Sequence, residues 1–299
     1  MGTAVARLAA GLRRSVDGVD GVRAAGKGSA VGAITVRSAA LATGITVPYA
    51  ETGDASAPPV VLVHAYVESW RYFEPVLRRL PATLHAFAPT QRGHGGVPAP
   101  GGLAPEDLAD DLVAFLDALG LDRAALVGAS SGGLVCALLA ATRPERVTAL
   151  VLLSSPASLA DKAAARTMSE ELRALRDPLD RGFVEGFVRD TSPASLPDDL
   201  VSRLVDETLQ VPAYVWREAL RGLLAADVTP LLPRIEAPTL LVAGEDDALV
   251  GPDQQVLLRR IPQARLVRYP GVGHGVHLAL PDRVVDDVAG FLAAVAPGG

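Results

Sequence analysis

The main candidate for a catalytic residue in this sequence is a serine with a glycine two residues before it and another two residues after it. Ser130 stands in Gly128-Ala129-Ser130-Ser131-Gly132, a G-x-S-x-G pattern that follows the apolar run 124–128 and precedes the small, apolar run 131–142. Between a strand and a helix, this pattern lifts a serine hydroxyl above a sheet on a sharp turn. The N-terminus of the helix also directs free N–H groups at the turn. We therefore predict that Ser130 is a nucleophile for acyl transfer rather than part of a plain glycine-rich turn.

A nucleophilic serine needs a general base and an acid that orients the base. Three acidic candidates, Glu245-Asp246-Asp247, follow the apolar run 239–243, and a solvated acidic turn accounts for two of them. The base candidate is His274, which glycines flank on a loop that would expose its imidazole. Neither charge nor spacing excludes the nearby His277, although the Leu-Ala-Leu-Pro that follows it favours packing at a helix start. The order serine, acid, histidine is typical of a triad on such a turn.

The elements that must position these residues alternate along the chain. Short, apolar runs rich in strand-forming residues predict strands at 34–36, 45–50, 60–64, 84–88, 124–128, 147–153, 239–243 and 265–269. Several of these runs are continuous, as expected for strands buried on both faces. Helical patterns separate most of them, at 69–80, 105–119, 131–142, 252–261 and 281–295. We predict an α/β fold: a doubly wound, mostly parallel, eight-stranded sheet with helices on both faces.

One segment interrupts this alternation. Residues 156–234 contain no strand candidate, and helical stretches near 159–176, 197–210 and 212–225 are separated by prolines and glycines. This predicts an all-helical cap inserted into the α/β core, which comprises 31–155 and 235–299. Residues 1–30 are predicted to form an N-terminal extension.

These motifs together resemble the α/β-hydrolase fold superfamily, from about Ile45 to the C-terminus. The strand and His-Ala-Tyr at 60–66 resemble its oxyanion loop, the run 88–95 resembles its D-x-R-G-x-G loop, and 128–132 matches its nucleophile elbow. The resemblance implies that Asp247 is the acid, that His274 is the base and that 156–234 is the usual cap. The mechanism then predicts an oxyanion hole formed by the backbone N–H groups of Tyr66 and Ser131.

Three residues depart from the pattern of that superfamily. Ala65 replaces the usual glycine after His64, which predicts a repositioned oxyanion loop. Thr90 replaces the common aspartate before Arg92, which predicts loss of the ion pair inside that loop. Ala129 replaces a bulkier residue before the nucleophile, which predicts a larger pocket floor.

The substrate pocket has candidates in the core and in the cap. For His64 a structural role is the main expectation, and for Trp70 it is packing at a helix start. Phe183 and Phe187, four residues apart on a possible cap helix, are candidates for core packing or for the pocket. The pocket candidates are His64, Ala65, Trp70, Ala129, Phe183, Phe187 and Trp216.

Net charge, cysteine content and the length of apolar runs limit the kinds of partner that the protein is expected to bind. With 28 Lys and Arg against 34 Asp and Glu, the net charge of −6 argues against nucleic acid. The single cysteine, Cys136, cannot form an intramolecular disulfide, and no Cys/His spacing suggests a metal or cofactor. Apolar runs are too short to span a bilayer. We expect no membrane partner, a cytoplasmic protein that is a monomer or homodimer, and a small-molecule substrate.

The sequence therefore predicts a serine hydrolase that cleaves a small-to-medium apolar carboxylic ester or lactone through an acyl-enzyme intermediate. Two alternatives stay open. The same triad could serve C–C bond hydrolysis, acyl transfer, perhydrolysis or cyclisation, or it could belong to a slow-turnover ligand-binding protein.

Overall fold

A single eight-stranded sheet forms the centre of the computed structural model, which describes residues 33–296. The predicted extension at 1–30 lies outside these residues. The strands are β1 Thr35–Ala40, β2 Thr46–Thr52, β3 Pro59–Val63, β4 His85–Pro89, β5 Ala124–Ala129, β6 Val147–Leu153, β7 Thr239–Gly244 and β8 Ala264–Tyr269. Their order is β1-β2-β4-β3-β5-β6-β7-β8. β2 runs antiparallel to β1 and β4, and all other neighbouring strands are parallel. All eight predicted strands are present.

Helices cover both faces of the sheet. The core helices are α1 Glu74–Leu77, α2 Pro105–Ala118, α3 Ser131–Thr142, α8 Asp253–Arg260, α9 Val276–Ala279 and α10 Pro281–Val295. One face packs against α2, α3 and α8, and the other packs against α1 and α10. Because both faces are covered, every residue of β5 and β7 is buried, which explains their continuous apolar sequences.

The predicted helix over 69–80 is shorter and tighter than its pattern indicates. It consists of the 3₁₀ turn Trp70–Phe73 followed by the single turn α1. Ser69 caps the 3₁₀ turn, since its Oγ accepts the Arg71 N–H at 3.3 Å.

Four helices lie between β6 and β7: α4 Ala163–Leu172, α5 Arg181–Thr191, α6 Asp198–Thr208 and α7 Ala213–Ala225. They share an apolar cluster, which also includes Val67 and Tyr72 from the segment that follows β3. Helix α5 contains Gly182 and Gly186, two of the glycines that were expected to separate the cap helices. Asp180 caps this helix by accepting the Phe183 N–H at 2.8 Å, so the glycines do not prevent it from forming.

Candidate active site

The turn that carries Ser130 is strained and tightly packed. Ser130 joins β5 to α3 with φ 47° and ψ −118°, a left-handed φ that side chains other than glycine rarely adopt. A Cβ atom on Gly128 would overlap Gly133, and one on Gly132 would overlap the backbone carbonyl oxygens of Val63 and His64. The glycines therefore allow strand and helix to approach closely enough to hold the serine on this turn.

Ser130, His274 and Asp247 form a continuous line of hydrogen bonds. The Nε2 atom of His274 lies 2.8 Å from the Oγ of Ser130, and its Nδ1 lies 2.8 Å from Oδ2 of Asp247. The other carboxylate oxygen, Oδ1, accepts the backbone N–H groups of Leu249 and Val250, each at 3.0 Å. An ionised Asp247 can only accept, so the imidazole proton lies on Nδ1 and Nε2 is free to accept the serine proton.

The surroundings of these residues shift the pKa values of Asp247 and His274 in opposite directions. Burial alone would raise the pKa of Asp247, but the charge of His274 and the hydrogen bonds from His274, Val250 and Leu249 lower it below its usual value. Burial opposes protonation of His274, yet Asp247 outweighs it and raises the pKa of the imidazole above the ordinary value. Asp247 therefore stays ionised and holds a histidine that is ready to take up a proton.

The structure separates the alternatives that local sequence left open. The side chain of Asp247 has no solvent exposure, whereas Glu245 is exposed and Asp246 is half-buried. His277 lies in the short helix α9, where its ring packs against Phe73 at a centroid distance of 5.1 Å. Burial lowers the pKa of His277 to about 3, so it stays neutral. Among these residues, the structure brings only Asp247 and His274 into line with Ser130.

The backbone N–H groups of the two predicted oxyanion residues have no hydrogen-bond partner in the described part of the chain. Tyr66 and Ser131 both line the cavity next to Ser130. Neither N–H donates to another group within residues 33–296, and Ser131 is the first residue of α3, whose N–H has no partner inside the helix. Val67, directly after Tyr66, has φ 55°, which a β-branched residue rarely adopts.

The cavity above Ser130 has a volume of about 90 Å³. Its polar side chains are those of Ser130, His274, Glu68, Thr191, His277, Ser131 and Tyr66. Aliphatic and aromatic side chains from the core and the cap form most of the remaining wall: Leu153, Leu159, Ala165, Met168, Phe187, Leu220, Leu223, Leu249 and Leu278. No lysine or arginine is among the described residues that line it.

Comparisons with known proteins agree with the fold. A family model for the alpha/beta hydrolase fold matches residues 58–279. The chain belongs to this family. The predicted superfamily, the α/β class and the mostly parallel eight-stranded sheet are confirmed.

Several relatives of this α/β hydrolase carry names of ester-cleaving enzymes. A pimeloyl-acyl-carrier-protein methyl ester esterase of Neisseria meningitidis is 30% identical over 231 residues, which cover 74% of this chain and 87% of the esterase. RutD of Variovorax paradoxus, named as a carbamate hydrolase, is 35% identical over 210 residues, covering 68% and 79%. A solved esterase of a Rhodococcus species superposes with a TM-score of 0.77 at 26% identity, covering 87% of this chain and 99% of that one.

Of the predicted pocket residues, Ala65, Ala129 and Phe187 line the cavity of this α/β hydrolase. His64, Trp70, Phe183 and Trp216 do not, and each is held elsewhere for a physical reason.

His64 is fully buried and braces two loops, because its Nδ1 donates to the Ala65 carbonyl at 2.8 Å and its Nε2 accepts the Gln91 N–H at 3.0 Å. Trp70 is buried in the core beside its neighbour Arg71, whose guanidinium lies 4.6 Å from the ring centroid.

An aromatic cluster inside the cap accounts for the other two. Trp216 is fully buried, and the rings of Tyr66, Phe183 and Phe187 surround it at centroid distances of 5.8, 5.4 and 4.8 Å. The Tyr66 hydroxyl also donates to the Trp216 carbonyl at 2.5 Å. Trp216 and Phe183 therefore support the wall, through Phe187 and Tyr66, without forming it.

Arg92 has its counter-charge outside the loop that resembles D-x-R-G-x-G. Its Nε and one terminal nitrogen each lie 2.5 Å from a carboxylate oxygen of Asp111 on α2, and both side chains are buried. Thr43 donates to the same carboxylate at 2.6 Å. Helix α2 supplies the counter-charge that a residue at position 90 would otherwise provide.

Sequence reasoning missed two polar residues of the cavity, Glu68 and Thr191. Glu68 lies two residues after Tyr66, and its carboxyl lines the cavity with Ser130 and His274. The available signal was an acidic residue in the loop between a buried strand and a tryptophan, in His-Ala-Tyr-Val-Glu-Ser-Trp. Nothing local indicated that this side chain turns inward. No group of three or more His, Cys, Asp or Glu side chains among residues 33–296 could hold a metal ion.

Proposed function

We propose that this α/β hydrolase is a serine esterase that cleaves uncharged, short-chain carboxylic esters or lactones through an acyl-enzyme intermediate. The observation that carries the proposal is the hydrogen-bonded line of Ser130, His274 and Asp247 at the floor of an apolar cavity. Relatives named as esterases, and a 3-oxoadipate enol-lactonase of Acinetobacter baylyi that is 26% identical over 230 residues, support ester bonds as the target.

In the acylation step, the Oγ of Ser130 attacks the ester carbonyl while Nε2 of His274 takes its proton. The resulting imidazolium lies between two acceptors, and Asp247 stabilises it through the 2.8 Å hydrogen bond at Nδ1. The N–H groups of Tyr66 and Ser131 are free to bind the oxyanion, and such a donor contributes about 3–4 kcal/mol to the transition state. His274 then protonates the leaving alcohol.

Deacylation uses the same groups in the reverse sense. A water molecule replaces the alcohol, His274 takes a proton from it, and the hydroxide attacks the acyl-Ser130 carbonyl. The Tyr66 and Ser131 N–H groups again face the oxyanion. Collapse of this second intermediate returns the proton to Ser130 and releases the carboxylic acid.

The shape and charge of the cavity support a small, uncharged substrate. An apolar cavity of roughly 150 Å³ accommodates benzene, so the 90 Å³ of this one favours shorter groups. A substrate carboxylate would meet no lysine or arginine among the described lining residues and would lose its hydration without compensation.

A series of p-nitrophenyl esters tests the proposal. We expect kcat/KM to be highest for acetate to butyrate and to fall for octanoate, because the longer chain cannot enter the cavity. Ser130→Ala should abolish turnover with all of them, and a fluorophosphonate should label the wild-type protein at Ser130. Retained hydrolysis by Ser130→Ala would contradict the mechanism, and a maximum at octanoate would contradict the assigned substrate size. The cytoplasmic location and the monomeric or homodimeric state stay predictions.

No helix within the described part of the chain is long and apolar enough to cross a bilayer.

A further inference from the structure

The carboxyl of Glu68 is a polar group of the cavity that the proposed triad does not use. Its Oε2 accepts the N–H of Ala65 at 2.9 Å. The backbone N–H of Glu68 donates to the Ala65 carbonyl at 3.4 Å. Two hydrogen bonds between Ala65 and Glu68 therefore hold the turn that contains Tyr66. The side chain is therefore held in one orientation within the loop that carries the proposed oxyanion donor.

The second carboxyl oxygen, Oε1, has no hydrogen-bond partner within residues 33–296. Most of the wall around it is apolar, and no lysine or arginine lining the cavity offers a counter-charge. A ligand that fills this cavity removes water from Oε1, so the ligand must either supply a partner or leave this atom unpaired.

The surroundings favour the uncharged form of Glu68 at neutral pH. Burial raises its pKa to about 8, although the Ala65 N–H and the charge of His274 act in the opposite direction. The other titratable group that responds to its charge is the buried hydroxyl of Tyr72, which pairs with Thr208 of the cap at 3.0 Å. The raised pKa favours the protonated form at pH 7. Because Oε2 accepts from Ala65, the acid proton lies on Oε1.

We propose that Glu68 is a specificity-determining residue of the esterase site, whose Oε1–H donates a hydrogen bond to a second, uncharged oxygen of the substrate. The proposal rests on the proposed esterase function and narrows the substrate class to esters with an ether, ketone or hydroxyl oxygen close to the scissile bond. An ester whose chain is all carbon would leave the Glu68 donor unpaired in an apolar site, and sites built around a hydrogen bond reject ligands that lack the partner.

Two pairs of esters of equal chain length test this proposal. On the acyl side, p-nitrophenyl methoxyacetate is compared with p-nitrophenyl butyrate. On the alcohol side, 2-methoxyethyl acetate is compared with butyl acetate. Each kcat/KM is divided by the rate constant of alkaline hydrolysis of the same ester, which removes the difference in intrinsic reactivity. At pH 7 we expect the wild-type protein to prefer the oxygen-bearing ester about tenfold in one of the pairs.

Variants and pH separate the donor from a merely structural side chain. Glu68→Leu should lose the preference. Glu68→Gln should keep it, because the amide can accept from Ala65 with its oxygen and donate to the substrate with its nitrogen. Raising the pH to 9 should reduce the wild-type preference, since the carboxylate has no proton to donate, and should leave the preference of Glu68→Gln unchanged.

The outcomes distinguish this proposal from the esterase function. If all four esters are hydrolysed in a Ser130-dependent way without preference, the role of Glu68 is refuted and the function stands. If none is hydrolysed, the proposed function fails first. A preference that persists in Glu68→Leu, or that persists in the wild type at pH 9, also refutes the proposal. If Glu68→Leu does not fold, the comparison of wild type and Glu68→Gln at the two pH values still decides.

Discussion

Replacement of Asp247 by asparagine tests the orientation of the proposed base. The carboxylate uses Oδ1 for the N–H groups of Leu249 and Val250, and Oδ2 for Nδ1 of His274. An asparagine whose oxygen keeps both backbone partners must turn its NH₂ group toward Nδ1. Two donors would then face each other at 2.8 Å, so the imidazole has to move its proton to Nε2.

The expected loss follows from that change of tautomer. With a proton on Nε2, His274 can no longer accept from Ser130, and the imidazolium formed during acylation loses its carboxylate. An equivalent change in a serine protease lowers kcat by about 10⁴-fold, which corresponds to about 5 kcal/mol in the activation barrier. The fold should persist, because asparagine keeps the volume and the two backbone hydrogen bonds, and we expect the free energy of unfolding to change by only about 1–2 kcal/mol.

Asp246→Asn is the matched control. This neighbour is half-buried, and its side chain forms no hydrogen bond or ion pair within residues 33–296. Its replacement should change kcat/KM for p-nitrophenyl acetate by no more than about twofold. Circular dichroism during heating checks that both variants are folded. Asp247 does not orient the base if Asp247→Asn retains more than a tenth of wild-type kcat/KM. The same conclusion follows if Asp246→Asn loses as much kcat/KM as Asp247→Asn does.

Three further predictions concern the turn, a buried ion pair and pH. Gly133→Ala should lower the melting temperature sharply, since its Cβ would overlap the Ser155 hydroxyl, whereas Gly290→Ala, with open space around it, should be neutral or raise stability by about 0.5–1 kcal/mol. Arg92→Leu should cost about 3–5 kcal/mol in denaturant unfolding, because it leaves Asp111 buried without its partner; a loss below about 1 kcal/mol would show that the pair is not formed in solution. Esterase kcat/KM should fall as pH decreases, with a midpoint above 6.5, because only neutral His274 accepts a proton and its pKa is raised; a midpoint well below that value would contradict the raised pKa.

The sequence alone determined the parts of the protein that depend on neighbouring residues. The eight strands could be predicted because each overlaps a short apolar run, and several of these runs are continuous, as a parallel strand buried on both faces requires. The turn at Ser130 could be predicted because its geometry depends on glycines two residues before and two residues after it. The resemblance of the motifs to one superfamily then implied Asp247 and His274.

Tertiary structure decided every feature that depends on partners distant in the sequence. Asp246 and Asp247 are adjacent and chemically identical, and their contacts distinguish them: the Asp247 side chain is buried and hydrogen-bonded to His274. The counter-charge of Arg92 comes from Asp111, 19 residues away on helix α2, and the local departure at Thr90 did not indicate this partner. Trp216 is an aromatic residue of the cap, as pocket residues often are, but Tyr66, Phe183 and Phe187 enclose it.

Glu68 illustrates most clearly why contacts with distant residues, rather than local sequence, determine the surroundings of a side chain. An acidic residue in a loop normally faces water, because burial of an unpaired charge is costly. Here the Ala65 N–H turns the side chain inward, and the cap and core close around it. The raised pKa and the position in the cavity result from that enclosure, which no local pattern in the sequence encodes.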